Sequence, residues 1–151
     1  MTPHGRGLKV LVADGDRTVL ELVQIRLDVA GYHALVARSG PAVLETLKTV
    51  RPAAMILDMD LPEAGAFEVL ETLTRRGDKL PCPTLVVGRK LGIEDVKRAI
   101  GLGARDCMAK PFSGAQVLER VARMLKPTCA APPAVRRPLF VDDPRLPRAT
   151  A

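Results

Sequence analysis

Five short apolar runs punctuate the chain: Leu8–Ala13, His33–Ala37, Ala53–Leu57, Thr84–Val87 and Cys107–Ala109. Three of them are apolar at nearly every position. That is the pattern of strands buried on both faces of a parallel sheet, rather than the alternation of a half-exposed one. After each run the apolar positions spread to a helical period. Val19, Leu22, Val23, Leu27 and Ala30 fall at i, i+3, i+4, i+8 and i+11. Val43, Leu47 and Val50 form a second set, Phe67, Leu70 and Leu73 a third, and Ile93, Val96 and Ile100 a fourth. Val117, Leu118, Val121, Met124 and Leu125 complete the series. Each spacing predicts a helix with one buried face.

The punctuating residues agree with this division. Asp16 and Ser113 stand where helix N-caps are expected, Gly31 and Gly77 where helices should stop, and Pro127 just beyond the last helix. Five strand–helix units in strict alternation predict an α/β fold with right-handed crossovers and helices on both faces of the sheet. In open sheets of this kind, function gathers outside the carboxyl ends of the strands. Those ends are where the chemistry should lie.

The pattern places one domain at residues 8–126, an N-terminal extension at 1–7, and a tail at 127–151. The tail is rich in Pro and Arg and is expected to be disordered. A chain of 151 residues is long enough to bury a sizeable core, roughly 70% of its unfolded surface. With no Trp and few other aromatics, that core must be aliphatic. No apolar run approaches the ~20 residues of a membrane span, and Met1–Gly7 lacks the apolar middle of a signal peptide. A cytoplasmic protein without membrane contact is expected. Cys82, Cys107 and Cys129 match neither a disulfide framework nor zinc-ligand spacing and read as reduced thiols. The formal charge of +6 suits an acidic partner. The basic residues are scattered and not interleaved with aromatics, so direct nucleic-acid binding is not expected.

The strand ends carry Asp14, Gly15 and Asp16; Asp58, Met59, Asp60, Leu61 and Pro62; Gly88, Arg89 and Lys90; and Lys110, Pro111 and Phe112. Carboxylates held close together repel unless a cation is shared, which suggests an oxygen site of the Mg²⁺ type. An aspartate beside a metal and a lysine can attack a phosphoryl group, because both cations offset charge on the transferred oxygens. Asp16 reads first as a helix cap. Asp58 and Lys110, at the ends of buried strands, read first as functional.

Lys9-Val10-Leu11-Val12-Ala13-Asp14, Ile56-Leu57-Asp58-Met59-Asp60-Leu61-Pro62, and Gly103-Ala104-Arg105-Asp106 running on to Lys110-Pro111-Phe112 fit one pattern jointly. From Leu8 to Leu125 the chain resembles a receiver domain of the two-component response regulators. The resemblance implies a flavodoxin-like (βα)5 doubly wound parallel sheet with strand order 2-1-3-4-5. It implies a phosphoacceptor at Asp58, a phosphate-contacting Lys110, and a cis Lys110–Pro111 bond that aims the lysine. It implies a Mg²⁺ site, with Asp14, Asp60 and Asp16 as the candidate ligands. A histidine kinase or phosphotransfer protein would donate phosphate in a phosphorelay. A downstream protein would meet the face of the fourth helix, fifth strand and fifth helix. Such a domain signals and is not an enzyme.

Several positions depart from the family pattern. Gly15 stands where a second acid usually ligates Mg²⁺, so metal binding should be weakened. Gly88 replaces the hydroxyl residue of the usual switch, and Cys107 its aromatic partner. Arg89 replaces a small residue and is expected to lean over Asp58, pairing as a guanidinium fork with the carboxylate. Asp60 and Lys90 flank the site and would form a salt bridge across its mouth, worth about 0–1 kcal/mol. Ala66 stands where a glycine is usual, which leaves the local turn geometry open.

Other functions fit less well. A phosphorylation-independent receiver would act as a binding module, its partner preference set by Lys97, Arg98, Arg105, Arg120 and Arg123. Asp58-Met59-Asp60 echoes the acid pair of haloacid-dehalogenase-like phosphatases, but here the strand is third and the other acids precede it. No glycine-rich phosphate loop follows any strand, which argues against a nucleotide or flavin site. The tail is too short and Pro-rich to fold as a DNA-binding domain, so output is expected through a partner or through a domain outside this sequence.

Overall fold

The computed structural model describes residues 7–126. The expected tail, with Pro127 and Cys129, and positions 1–6 lie outside the described residues. Ten elements alternate along the chain: β1 (Lys9–Ala13), α1 (Arg17–Val29), β2 (His33–Ala37), α2 (Gly40–Thr49), β3 (Ala54–Asp58), α3 (Ala66–Thr74), β4 (Thr84–Gly88), α4 (Ile93–Gly101), β5 (Asp106–Ala109) and α5 (Gly114–Leu125). All strand pairs are parallel and the order is β2-β1-β3-β4-β5. This is the flavodoxin-like arrangement, with the reversal in strand order at β1 and β3.

Alternate strand residues feed two cores. Val10, Val12, Ala54, Ile56, Leu85 and Val87 pack with Leu20, Val23 and Leu27 of α1 and with Val117, Val121 and Met124 of α5. Leu11, Ala13, Met55, Leu57 and Val86 pack on the other face with Val43 of α2, Val69 and Leu70 of α3, and Ala99 of α4. β3 and β4 are buried at every position, as their continuous apolar sequences require. Each fully buried Leu or Ile contributes about 1.5–3 kcal/mol of transfer free energy. No helix among the described residues is long and apolar enough to cross a membrane.

The helix ends follow local chemistry. Asp16 caps α1 by accepting from the Thr18 N–H at 2.9 Å. Ser113 and Gln116 cap α5 reciprocally. Gly31, just past α1, takes φ +94°, the left-handed conformation that favours glycine at a helix exit.

The strand limits shift slightly from the apolar runs. β3 and β4 each extend one residue further, so Asp58 and Gly88 close their strands rather than follow them. The reason is register: Asp58 pairs with Val87 and Gly88 with Ala109. Backbone bonds from Asp14 N to Ala37 O (3.1 Å), Met59 N to Val87 O (2.8 Å) and Lys110 N to Gly88 O (2.9 Å) continue the ladder past the last apolar residues. The carboxyl ends of β1, β3, β4 and β5 therefore finish together.

Candidate functional site

Because these strands end flush, Asp14, Asp58 and Lys110 meet at one edge of the sheet. Lys110 Nζ lies 2.7 Å from Asp14 Oδ2 and 3.3 Å from Asp58 Oδ2. Asp14 is 2% and Asp58 5% exposed. Neither carboxylate relies on the lysine alone. Asp14 Oδ1 accepts from the Asp16 N–H at 2.8 Å, and Asp58 Oδ1 from the Asp60 N–H at 3.2 Å. The Lys110–Pro111 peptide is cis.

Burial raises the Asp58 pKa above its usual value, and the charge of Asp14 adds to this. The Asp60 N–H and Lys110 oppose the rise without cancelling it. For Lys110, burial works against the charge, but the hydrogen bond and charge of Asp14, together with Asp58, outweigh it and hold its pKa high. The three groups thus form a cluster in which one cation is shared between two acids.

Asp14, Asp58 and Lys110 open into a cavity of about 460 Å³, walled further by Gly15, Asp16, Asp60, Pro62 and Arg89. Asp16 borders this space, but its Oδ1 is committed to the helix cap. Among the described residues, no three acid, His or Cys side chains are gathered closely enough to hold a metal by themselves. Two carboxylates suffice for a hydrated Mg²⁺ that also takes phosphoryl oxygens and waters. The donor set of Asp14 and Asp58 fits such an ion, with less protein ligation than three acids would give.

Two expected contacts do not form. Arg89 walls the cavity but is exposed and makes no ion pair with Asp58 among the described residues; Lys110 is the cation that reaches the acid. Lys90 and Asp60 are likewise unpaired with each other among the described residues. Both are exposed side chains, for which water competes well with an ion pair.

Two neighbours were not legible in the sequence. A Cβ built at Gly15 would meet Pro62 Cδ at 2.9 Å, so the proline ring fills the space that any side chain here would need. A Cβ at Gly88 would meet Met59 Sδ at 2.6 Å, so the thioether lies where a hydroxyl side chain would begin. Glycine is needed at Gly65, the N-cap of α3, because a Cβ there would collide with the Met59 carbonyl. The turn requirement thus sits one residue before Ala66, which begins the helix.

Two basic residues of α4 and α5 are held locally, Arg98 against α3 and Arg120 against β5. Arg98 bonds Glu71 at 2.8 Å and lies 4.5 Å over the Phe67 ring. Arg120 bonds Asp106 at 2.9 Å and the Cys107 carbonyl at 3.0 Å. Cys82 and Cys107 are free thiols, and burial pushes Cys82 up to about 12.

The family described as response regulator receiver domain matches residues 10–122. The chain is 34% identical over 126 residues to the alkaline phosphatase synthesis transcriptional regulatory protein PhoP of Bacillus subtilis, covering 83% of the chain and 52% of the relative. It is 32% identical over 121 residues to response regulator MprA of Mycobacterium ulcerans, covering 80% of the chain and 51% of the relative. The chain therefore spans about half the length of these curated relatives. In fold it is similar to chemotaxis response regulator CheY4 of Vibrio cholerae, with a TM-score of 0.71 at 24% identity over 79% of the chain and 99% of that protein. The receiver domain of the Francisella response regulator 1452 gives a TM-score of 0.72 at 23% identity over 79% and 97%. At these identities the two structures speak for the fold alone.

Proposed function

The chain belongs to the response regulator receiver domain family, and from that premise we propose that Asp58 is its phosphoacceptor. The observation that carries this reading is the placement of the Asp58 carboxylate beside a shared lysine, at the floor of an open polar cavity. An oxygen of Asp58 attacks the phosphorus of an incoming phosphoryl group. The bond from phosphorus to the donor's nitrogen or oxygen breaks, and the donor leaves with that electron pair. Lys110 stays between Asp14 and the new acyl phosphate, and offsets charge on the transferred oxygens. The Asp60 N–H orients the carboxylate before attack. Mg²⁺, held by Asp14 and Asp58 with water completing its shell, would supply further positive charge to the phosphoryl oxygens.

The donor is a histidine kinase or phosphotransfer protein, and the domain works in the cytoplasm through a protein partner rather than by turnover. The curated relatives include a transcriptional regulator of which the matched segment covers only 52%, so output to DNA through a further domain is compatible with this reading. Transfer is the test. Label from a small acyl phosphate should be labile to alkali and should map to the peptide carrying Asp58. Label on any other residue would contradict the assignment.

A further inference from the structure

We propose that Arg89 reads the state of Asp58, by moving between the acid cavity and an adjoining apolar groove. This rests on Asp58 being the phosphoacceptor. Arg89 is a wall of the cavity that holds Asp58. It also walls a separate groove of about 390 Å³ formed with Val19, Leu22, Pro111 and Phe112. Lys110 touches both spaces as well, but it is pinned by two carboxylates. Arg89 is exposed, with no ion-pair partner among the described residues. Of the two cations that wall both spaces, Arg89 is therefore the one that can change place without breaking an ion pair.

Charge supplies the drive. Before any metal binds, the cavity sets Asp14 and Asp58 against the single paired charge of Lys110. Phosphorylation replaces a carboxylate by a group carrying about −1.5 to −2 charges, which Lys110 already cannot neutralise. A guanidinium presents a planar fork of donors matched to phosphoryl oxygens. When it closes over the phosphoryl group, the aliphatic stem of Arg89 leaves the groove wall and changes the surroundings of Val19 and Leu22, which line the same groove.

The usual alternative route is blocked at its first residue. Gly88 has no hydroxyl, and the Met59 thioether fills the space where one would be built. Cys107 sits in place of an aromatic, and its carbonyl is tied to Arg120. The residue immediately after Gly88 takes over the reading, and the signal emerges beside α1 and the β5–α5 loop.

The test is methyl NMR of Val19 and Leu22 before and after phosphorylation with acetyl phosphate and Mg²⁺, in wild type, Arg89→Ala and Arg89→Lys. The labelled fraction is measured by mass spectrometry. The expected result is a phosphorylation-dependent shift in wild type, a reduced shift in Arg89→Lys, and loss of the shift in Arg89→Ala at equal labelling. Equal shifts in all three would overturn the role of Arg89 while leaving Asp58 as phosphoacceptor. Label absent from Arg89→Ala alone would also overturn it, because the arginine would then serve transfer rather than reading. No label on wild type would overturn both assignments.

Discussion

Pro62 fills the volume that a side chain at Gly15 would need, with its Cδ only 2.9 Å from where a Cβ would stand. The two are linked across the mouth of the same cavity. Placing an acid at Gly15 is therefore not a simple gain of a metal ligand. Gly15→Asp should lower stability by about 1–3 kcal/mol through overpacking. Gly15→Asp with Pro62→Ala should recover that loss and bind Mg²⁺ more tightly than wild type. Urea melts and Mg²⁺ titrations of the three proteins check this. Tight Mg²⁺ binding and full stability in the single variant would show that the proline yields freely.

Gly88 contrasts with Gly15 because its neighbour is the flexible end of a methionine. A Met side chain adapts to a new neighbour more readily than a proline ring. Gly88→Ser should cost less than about 1 kcal/mol, with the Met59 thioether displaced. Denaturant midpoints measure the cost, and methyl NMR of Met59 should report the displacement. A loss above about 3 kcal/mol would mean that Met59 is fixed in place.

Asp58 holds its proton more tightly in the folded chain than its usual value of 3.8 implies, chiefly through burial. As pH rises past 3.8, the unfolded chain releases this proton before the folded one does. The folded state then binds more protons, so stability falls until the folded carboxyl has also ionised. Asp58→Asn should therefore be more stable than wild type near neutral pH, by about 0.5–2 kcal/mol. The advantage should fade as pH drops below 3.8. Melts across pH test the sign, and a less stable variant near neutrality would contradict it.

Lys110 is the shared partner of two nearly buried acids. Lys110→Met should leave them facing each other without a cation and cost about 1–3 kcal/mol near neutral pH. The cost should shrink as acid protonates the pair. A variant as stable as wild type at all pH values would show that the two acids do not depend on the lysine for their place in the fold.

Much of this architecture was legible in the sequence. The five apolar runs and the five helix-period sets that follow them specify ten elements, and Asp16 and Ser113 mark two of the helix starts. The order of the strands is different, because apolar period carries no information on which strand lies beside which. That came from the joint fit of the Asp14, Asp58 and Lys110 segments to the family. The one-residue extension of β3 and β4 was hidden because Asp58 and Gly88 are paired by backbone, not by hydrophobicity. Contacts such as Met59 with Gly88 join residues far apart in the chain, and no local pattern encodes them. The expected Asp60–Lys90 pair failed for a related reason: Asp60 walls the acid cavity while Lys90 does not line it, and sequence position alone does not bring two exposed side chains into contact.

The central claim is that Asp58 accepts phosphate, and it is tested most directly by Mg²⁺-dependent labelling of wild type and Asp58→Asn with a small acyl phosphate. The account predicts label on wild type that requires Mg²⁺ and is lost in Asp58→Asn. No label on wild type at saturating Mg²⁺, or equal label on both proteins, would contradict it. The first of those outcomes would leave the domain a binding module of fixed state.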